Sequence, residues 1–90
     1  MKRYFEDTGY AIEMTVINHA VIEFDVGEEY SGAPDSMMRG FLKWDGCINI
    51  EFYNYVHFCG KEEAMNLGVL LGYIYDMAAE MMPENAAYFK

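Results

Sequence analysis

Basic residues are scarce in this chain, and cysteine and proline are scarcer still. Six Lys and Arg stand against fifteen Asp and Glu, for a net charge of −9. Between Arg3 and Arg39 there is no base at all, while the interval holds Glu6, Asp7, Glu13, Glu23, Asp25, Glu28, Glu29 and Asp35. A second base-free stretch runs from Glu62 to Phe89. Nucleic-acid backbones are bound by clustered Lys and Arg, so direct nucleic-acid binding is excluded. Anionic membranes are repelled for the same reason. A basic partner would instead be attracted, and its encounter accelerated.

The two cysteines, Cys47 and Cys59, do not make a disulfide framework. The start, Met1-Lys2-Arg3-Tyr4-Phe5, lacks an apolar signal region, and the most apolar segment, 64–82, is interrupted by Asn66, Asp76 and Glu80. These features predict a cytoplasmic, reducing setting. Phosphate-binding loops, dinucleotide glycine fingerprints, nucleophile elbows, zinc-protease helices and calcium loops are all missing. His57, Cys59 and Cys47 offer too few ligands for zinc, and a Cys59–His57 nucleophile would lack both an orienting residue and an oxyanion motif. The expectation is therefore no enzyme, no metal and no cofactor, with both cysteines buried for structural reasons.

What the chain has is apolar and aromatic mass: 53% hydrophobic and 17% aromatic in 90 residues. That suffices for one core and one domain, residues 1–90. Residues 10–17 and 20–26 alternate with period two, placing Tyr10, Ile12, Met14, Val16, Ala20, Ile22, Phe24 and Val26 on one side. Such alternation predicts strands, with Ile17-Asn18-His19 as the turn and Val16 opposite Ala20. Residues 27–37 are rich in turn formers. A second hairpin, 38–44 and 47–58, turns at Trp44-Asp45-Gly46. Its apolar residues (Met38, Leu42, Ile48, Ile50, Phe52, Val56, Phe58) are all even-numbered, which requires a three-residue loop with Gly46 left-handed. Asn54 breaks the set and predicts a bulge.

From Lys61, apolar residues recur at three- and four-residue steps (Ala64, Leu67, Leu71, Ile74, Ala78, Met81) until Pro83, as in an amphipathic helix. Gly68 and Gly72 would let this helix sit close on its sheet; a homodimer through the helices is their other use. The predicted fold is α+β: a single antiparallel four-stranded sheet of two β-hairpins, with one C-terminal helix on its even face (ββββα).

One helix covers one face, so the odd face should meet solvent or a partner. Glu13, Thr15, Glu23, Asp25, Arg39, Phe41 and Lys43 fall there, with Cys47, Asn49, Glu51, Tyr53, Tyr55, His57 and Cys59 of the last strand, and the loop residues Glu28, Glu29 and Tyr30 could join them. Tyrosine beside acid suits recognition of a basic protein surface, with carboxylates standing in for phosphates. A polar outer face is also what water alone would select. The expected function is a small acidic protein-binding protein, directed at the basic nucleic-acid-binding surface of an effector. Phage-made inhibitors of host nucleases, anti-CRISPR proteins among them, fit this description, which is one of character and not of motif. The alternative is a homo-oligomeric small-molecule binding module.

Overall fold

A computed structural model of the chain describes residues 1–28, 36–53 and 58–89. Five strands, β1 (Lys2–Phe5), β2 (Tyr10–Asn18), β3 (Val21–Glu28), β4 (Ser36–Lys43) and β5 (Ile48–Phe52), form an antiparallel sheet in sequential order. The helix α1 (Lys61–Met81) and a 3₁₀ segment (Pro83–Phe89) complete the α+β domain. The expected ββββα sheet thus gains a fifth strand, β1, at its N-terminal edge. Four residues are too few to display a period, and Lys-Arg-Tyr-Phe does not alternate polar with apolar. Position reveals the pattern. Arg3 and Phe5 point to the helix side, where Phe5 stacks on Tyr73 at 4.0 Å and Arg3 pairs with Glu80 at 2.9 Å.

The first hairpin keeps the expected faces by a different route. Asn18 pairs with Val21, leaving His19-Ala20 as a two-residue turn, while Val16 pairs with Ile22 and not with Ala20. A two-residue loop pairs even with odd, which alone would set the two apolar rows on opposite faces. A bulge between Val16 and Asn18 restores even-to-even pairing. Asn18 braces the turn by accepting a hydrogen bond from the Ala20 amide at 2.8 Å. The second hairpin turns through Trp44-Asp45-Gly46 as predicted, with Gly46 at φ 89° and the Lys43 amide bonded to the Cys47 carbonyl at 2.9 Å. β5 ends at Phe52, short of the predicted strand end at 58. The bulge expected at Asn54 lies outside the described residues.

The even face carries the core. Ile12, Met14, Ile22, Phe24, Val26, Met38 and Leu42 are fully buried against Leu70, Ile74, Met77 and Ala78 of α1. The helix stripe is therefore rotated from the predicted one: Leu70 and Met77 replace Ala64, which is exposed in the first turn with its neighbours 61–65. Phe24 lies opposite Gly40 on β4. A Cβ at Gly40 would run into the Asn49 backbone carbonyl and come within 2.9 Å of the Phe24 ring, so the absent side chain first admits the close approach of β5 and then the phenyl ring. Pro83 stops the helix as predicted, and the tail docks: Phe89 is buried and Tyr88 meets Trp44 edge-on at 5.6 Å. Methionine serves as core filler at Met14, Met38 and Met77. Among the described residues, no helix is long and apolar enough to cross a membrane.

Two local expectations are overturned. Gly68 and Gly72 do not bring α1 close to its sheet: both are exposed, and a Cβ on either would meet nothing within 4 Å. Cys47 and Cys59 are exposed rather than buried.

Candidate functional site

The outer face of the sheet is set out by register. Cross-strand partners run Lys2–Glu13–Asp25–Arg39–Glu51 from β1 to β5, one charged residue on each strand. The next row holds Thr15, Glu23, Phe41 and Asn49. Glu13, Glu23, Asp25 and Glu51 therefore do share one face, as the alternation predicts. Tyr53 lies there too, just past β5, with the Arg39 guanidinium 4.9 Å from its ring centre. Phe41 is 44% exposed in the middle of the face. An open depression of about 440 Å³ lies over β3–β5, lined by Glu23, Arg39, Phe41, Asn49 and Glu51 among others.

The charge on this face is not what the composition suggested. Lys2, Arg39 and Lys43 interleave with the four acids, so the outer face is nearly neutral. Alternation already places Arg39 and Lys43 here, whereas Lys2 joins Glu13 only through the pairing of β1 with β2. The excess negative charge lies elsewhere. Away from this face, the described residues include Glu6, Asp7, Glu28, Asp45, Glu62, Glu63, Asp76, Glu80 and Glu84 against Arg3 and Lys61 alone.

Glu28 belongs to that second group. It pairs with Tyr10 across β2 and β3, on the helix side of the sheet, and not with the acids of the outer face. Glu29, Tyr30 and Tyr55 lie outside the described residues, as does His57.

Acid and tyrosine do meet, but along the β1–β2 flank of the helix layer. Burial, then the charges of Glu28 and Glu63, push the Tyr10 hydroxyl above its ordinary pKa. The Tyr73 hydroxyl donates a short hydrogen bond to Asp7, which with burial and the charges of Asp7 and Asp76 raises its pKa too. Glu62 and Glu63 sit in the first turn of α1, where the positive end of the helix dipole favours them. Beside them on the outward side of the helix lie Met65, 62% exposed, and Val69, 40% exposed. The signal for this flank was present in the sequence as Glu62, Glu63 and Asp76, but the chain had to fold before Asp7 and Glu28 joined it.

Among the described residues, no group of three His, Cys, Asp or Glu is placed to hold a metal ion. Asp45 has its carboxyl held below the usual range, first by the Cys47 amide it accepts from at 3.0 Å, which is the work of a turn. Comparisons with protein-family models, with curated proteins and with solved structures found no match to this chain.

Proposed function

We propose that this protein acts by binding another protein at a basic, nucleic-acid-binding surface, as an acidic occupant of the kind that phage inhibitors of host defence nucleases supply. It does no chemistry of its own in this reading. The observation that carries it is the asymmetry of charge: a nearly neutral outer sheet face, and an acidic flank where Glu28 and Glu63 surround Tyr10 while Asp7 and Asp76 surround Tyr73. Carboxylates at that density attract a Lys- and Arg-rich groove over a Debye length, and tyrosines at their centre supply rigid contact area. The binding residues are accordingly Asp7, Glu28, Glu62, Glu63 and Asp76 with the two tyrosines, rather than the sheet acids.

The same charges argue against pairing two copies through α1. Glu62, Asp76 and Glu80 line its outward side, and a two-fold axis would set them against each other. The alternative of a small-molecule module has the outer-face depression in its favour, but that hollow is open, and a ligand there would be held on one side only.

The test is capture of partners by the tagged protein, with two charge-reversal variants compared to wild type. Reversing Glu28, Glu62, Glu63 and Asp76 to lysine should abolish capture of a nucleic-acid-binding protein that wild type releases in high salt. Reversing Glu13, Glu23 and Glu51 should leave it. Capture lost only in the second variant would refute the assignment.

A further inference from the structure

We infer that the outer face of the sheet is a self-association surface whose occupant is a second copy of this chain, related by a two-fold axis running along β3. The inference goes beyond the proposed function, because it concerns the nearly neutral layer and not the acidic flank.

The argument is the order of charges in the middle row. From β1 to β5 it reads Lys2, Glu13, Asp25, Arg39, Glu51. Turning a second copy over about an axis along β3 lays this row against its own reversal. Lys2 then faces Glu51 of the second copy, and Glu13 faces Arg39 of the second copy. Symmetry repeats each contact, giving four opposite-charge pairs, with Asp25 alone meeting itself. In the neighbouring row Thr15 comes over Phe41, while Glu23 on the axis faces its own copy and, with Asp25, makes a second like-charge contact that offsets part of the four opposite pairs. The hollow bounded by Arg39, Phe41 and Glu51 is where β1 and β2 of the second copy would seat.

Other occupants fit less well. A basic partner would set its charge against Lys2 and Arg39, and an acidic one against Glu13 and Glu51; both arrangements are repulsive at the centre of the contact. A row of mixed sign that is complementary to its own reversal at four of five positions suits an isologous contact, in which residue i meets residue j and residue j meets residue i of the other copy.

Size sets the strength. Five strands at a spacing of about 4.8 Å, and five residues along each, give roughly 400 Å² of planar face per copy. Stable interfaces bury about 800 Å² per partner, so this contact belongs with the small, weak and transient ones and should be markedly salt-sensitive.

Sedimentation of the purified protein tests this without any partner, so its outcome does not bear on the acidic flank. Wild type at low salt, over a concentration series reaching roughly 100 μM, should sediment increasingly as a dimer, and high salt should reverse this. Arg39→Glu and Glu13→Arg each set like charges opposite one another twice, and each alone should be monomeric, with affinity reduced on the order of a hundredfold. Mixed in equal amounts, the two variants regain all four opposite pairs and should form a heterodimer. Circular dichroism of each variant confirms that it is folded. A monomeric wild type, single variants that still dimerise, or folded variants that stay monomeric when mixed would each overturn the proposal. So would a monomeric wild type whose Glu13 and Arg39 amide signals shift on adding a basic peptide, which would give the face to another protein.

Discussion

The two faces of one sheet are held to different standards. On the inner face Ile12, Met14, Ile22, Phe24, Val26, Met38 and Leu42 lie fully buried under α1, and among the described residues no polar side chain is buried with them. On the outer face every strand places a charge in the middle row. The inner face is specified by shape and the outer by the order of charges. Shape is unforgiving, because a cavity or a clash changes stability by kilocalories. Charge order on an exposed face costs the fold little and is available for recognition.

The sharpest way to break that contrast is at Phe24 and Gly40. Phe24→Ala should destabilise the domain by about 3–5 kcal/mol, read from urea unfolding, because it empties the centre of the inner face. Gly40→Ala should cost about 3 kcal/mol or more, since its Cβ runs into the backbone carbonyl of Asn49, which only a shift of β5 relieves, as well as the Phe24 ring. In the double variant the ring clash is gone, so the loss should be less than the sum. A neutral Gly40→Ala would mean that the inner face is softer than its burial implies.

These inner positions were legible from the sequence. Even-numbered alternation named the fully buried residues of β2, β3 and β4, though not the buried Ala11 and Met37 nor the exposure of Val16, and the three-residue loop at Trp44-Asp45-Gly46 followed from parity alone. Parity survived even where the turn was misplaced, because the bulge near Ile17 offsets the shorter loop. What could not be read was pairing between strands of unlike pattern. Lys2–Phe5 has no period, and its partnership with β2 is what brings Lys2 to Glu13 and Phe5 to Tyr73. Hence parity found the acids of the outer face together with Arg39 and Lys43, while Lys2, on the strand without a period, was missed. The location of the acidic flank was missed for the same reason, since Asp7 and Glu28 reach the helix layer only through tertiary contacts.

A second comparison, between the helix flank and the sheet face, sharpens with pH. Tyr10 and Tyr73 are raised above their ordinary value of 10.0 in the folded chain. A tyrosine that holds its proton more tightly when folded contributes stability below its unfolded pKa, and that contribution is lost as pH rises through the folded value. Stability should therefore fall from about pH 10 upward. Tyr73→Phe, which removes the hydroxyl bonded to Asp7, should flatten part of that fall. The check is thermal unfolding at a series of alkaline pH values, beside the ultraviolet titration of phenolate. An unchanged slope in Tyr73→Phe would dissociate the flank from the alkaline transition.

The smallest effect on stability should come from Asp25, at the centre of the outer face. Its cross-strand neighbours are Glu13 on one side and Arg39 on the other. Asp25→Asn removes a repulsion and an attraction of similar size, in a setting where water screens both. The change in unfolding free energy should stay within about 0.5 kcal/mol. Association answers differently. Under the inferred two-fold axis Asp25 faces its own copy, so the neutral side chain removes a like-charge contact and the dimer should tighten severalfold in sedimentation. A substitution that is silent in unfolding yet strengthens self-association would separate the two faces cleanly. Tightening of the dimer has no explanation in the folding of one chain, whereas a loss of stability without any change in association would return the charge row to the role of a solvated surface.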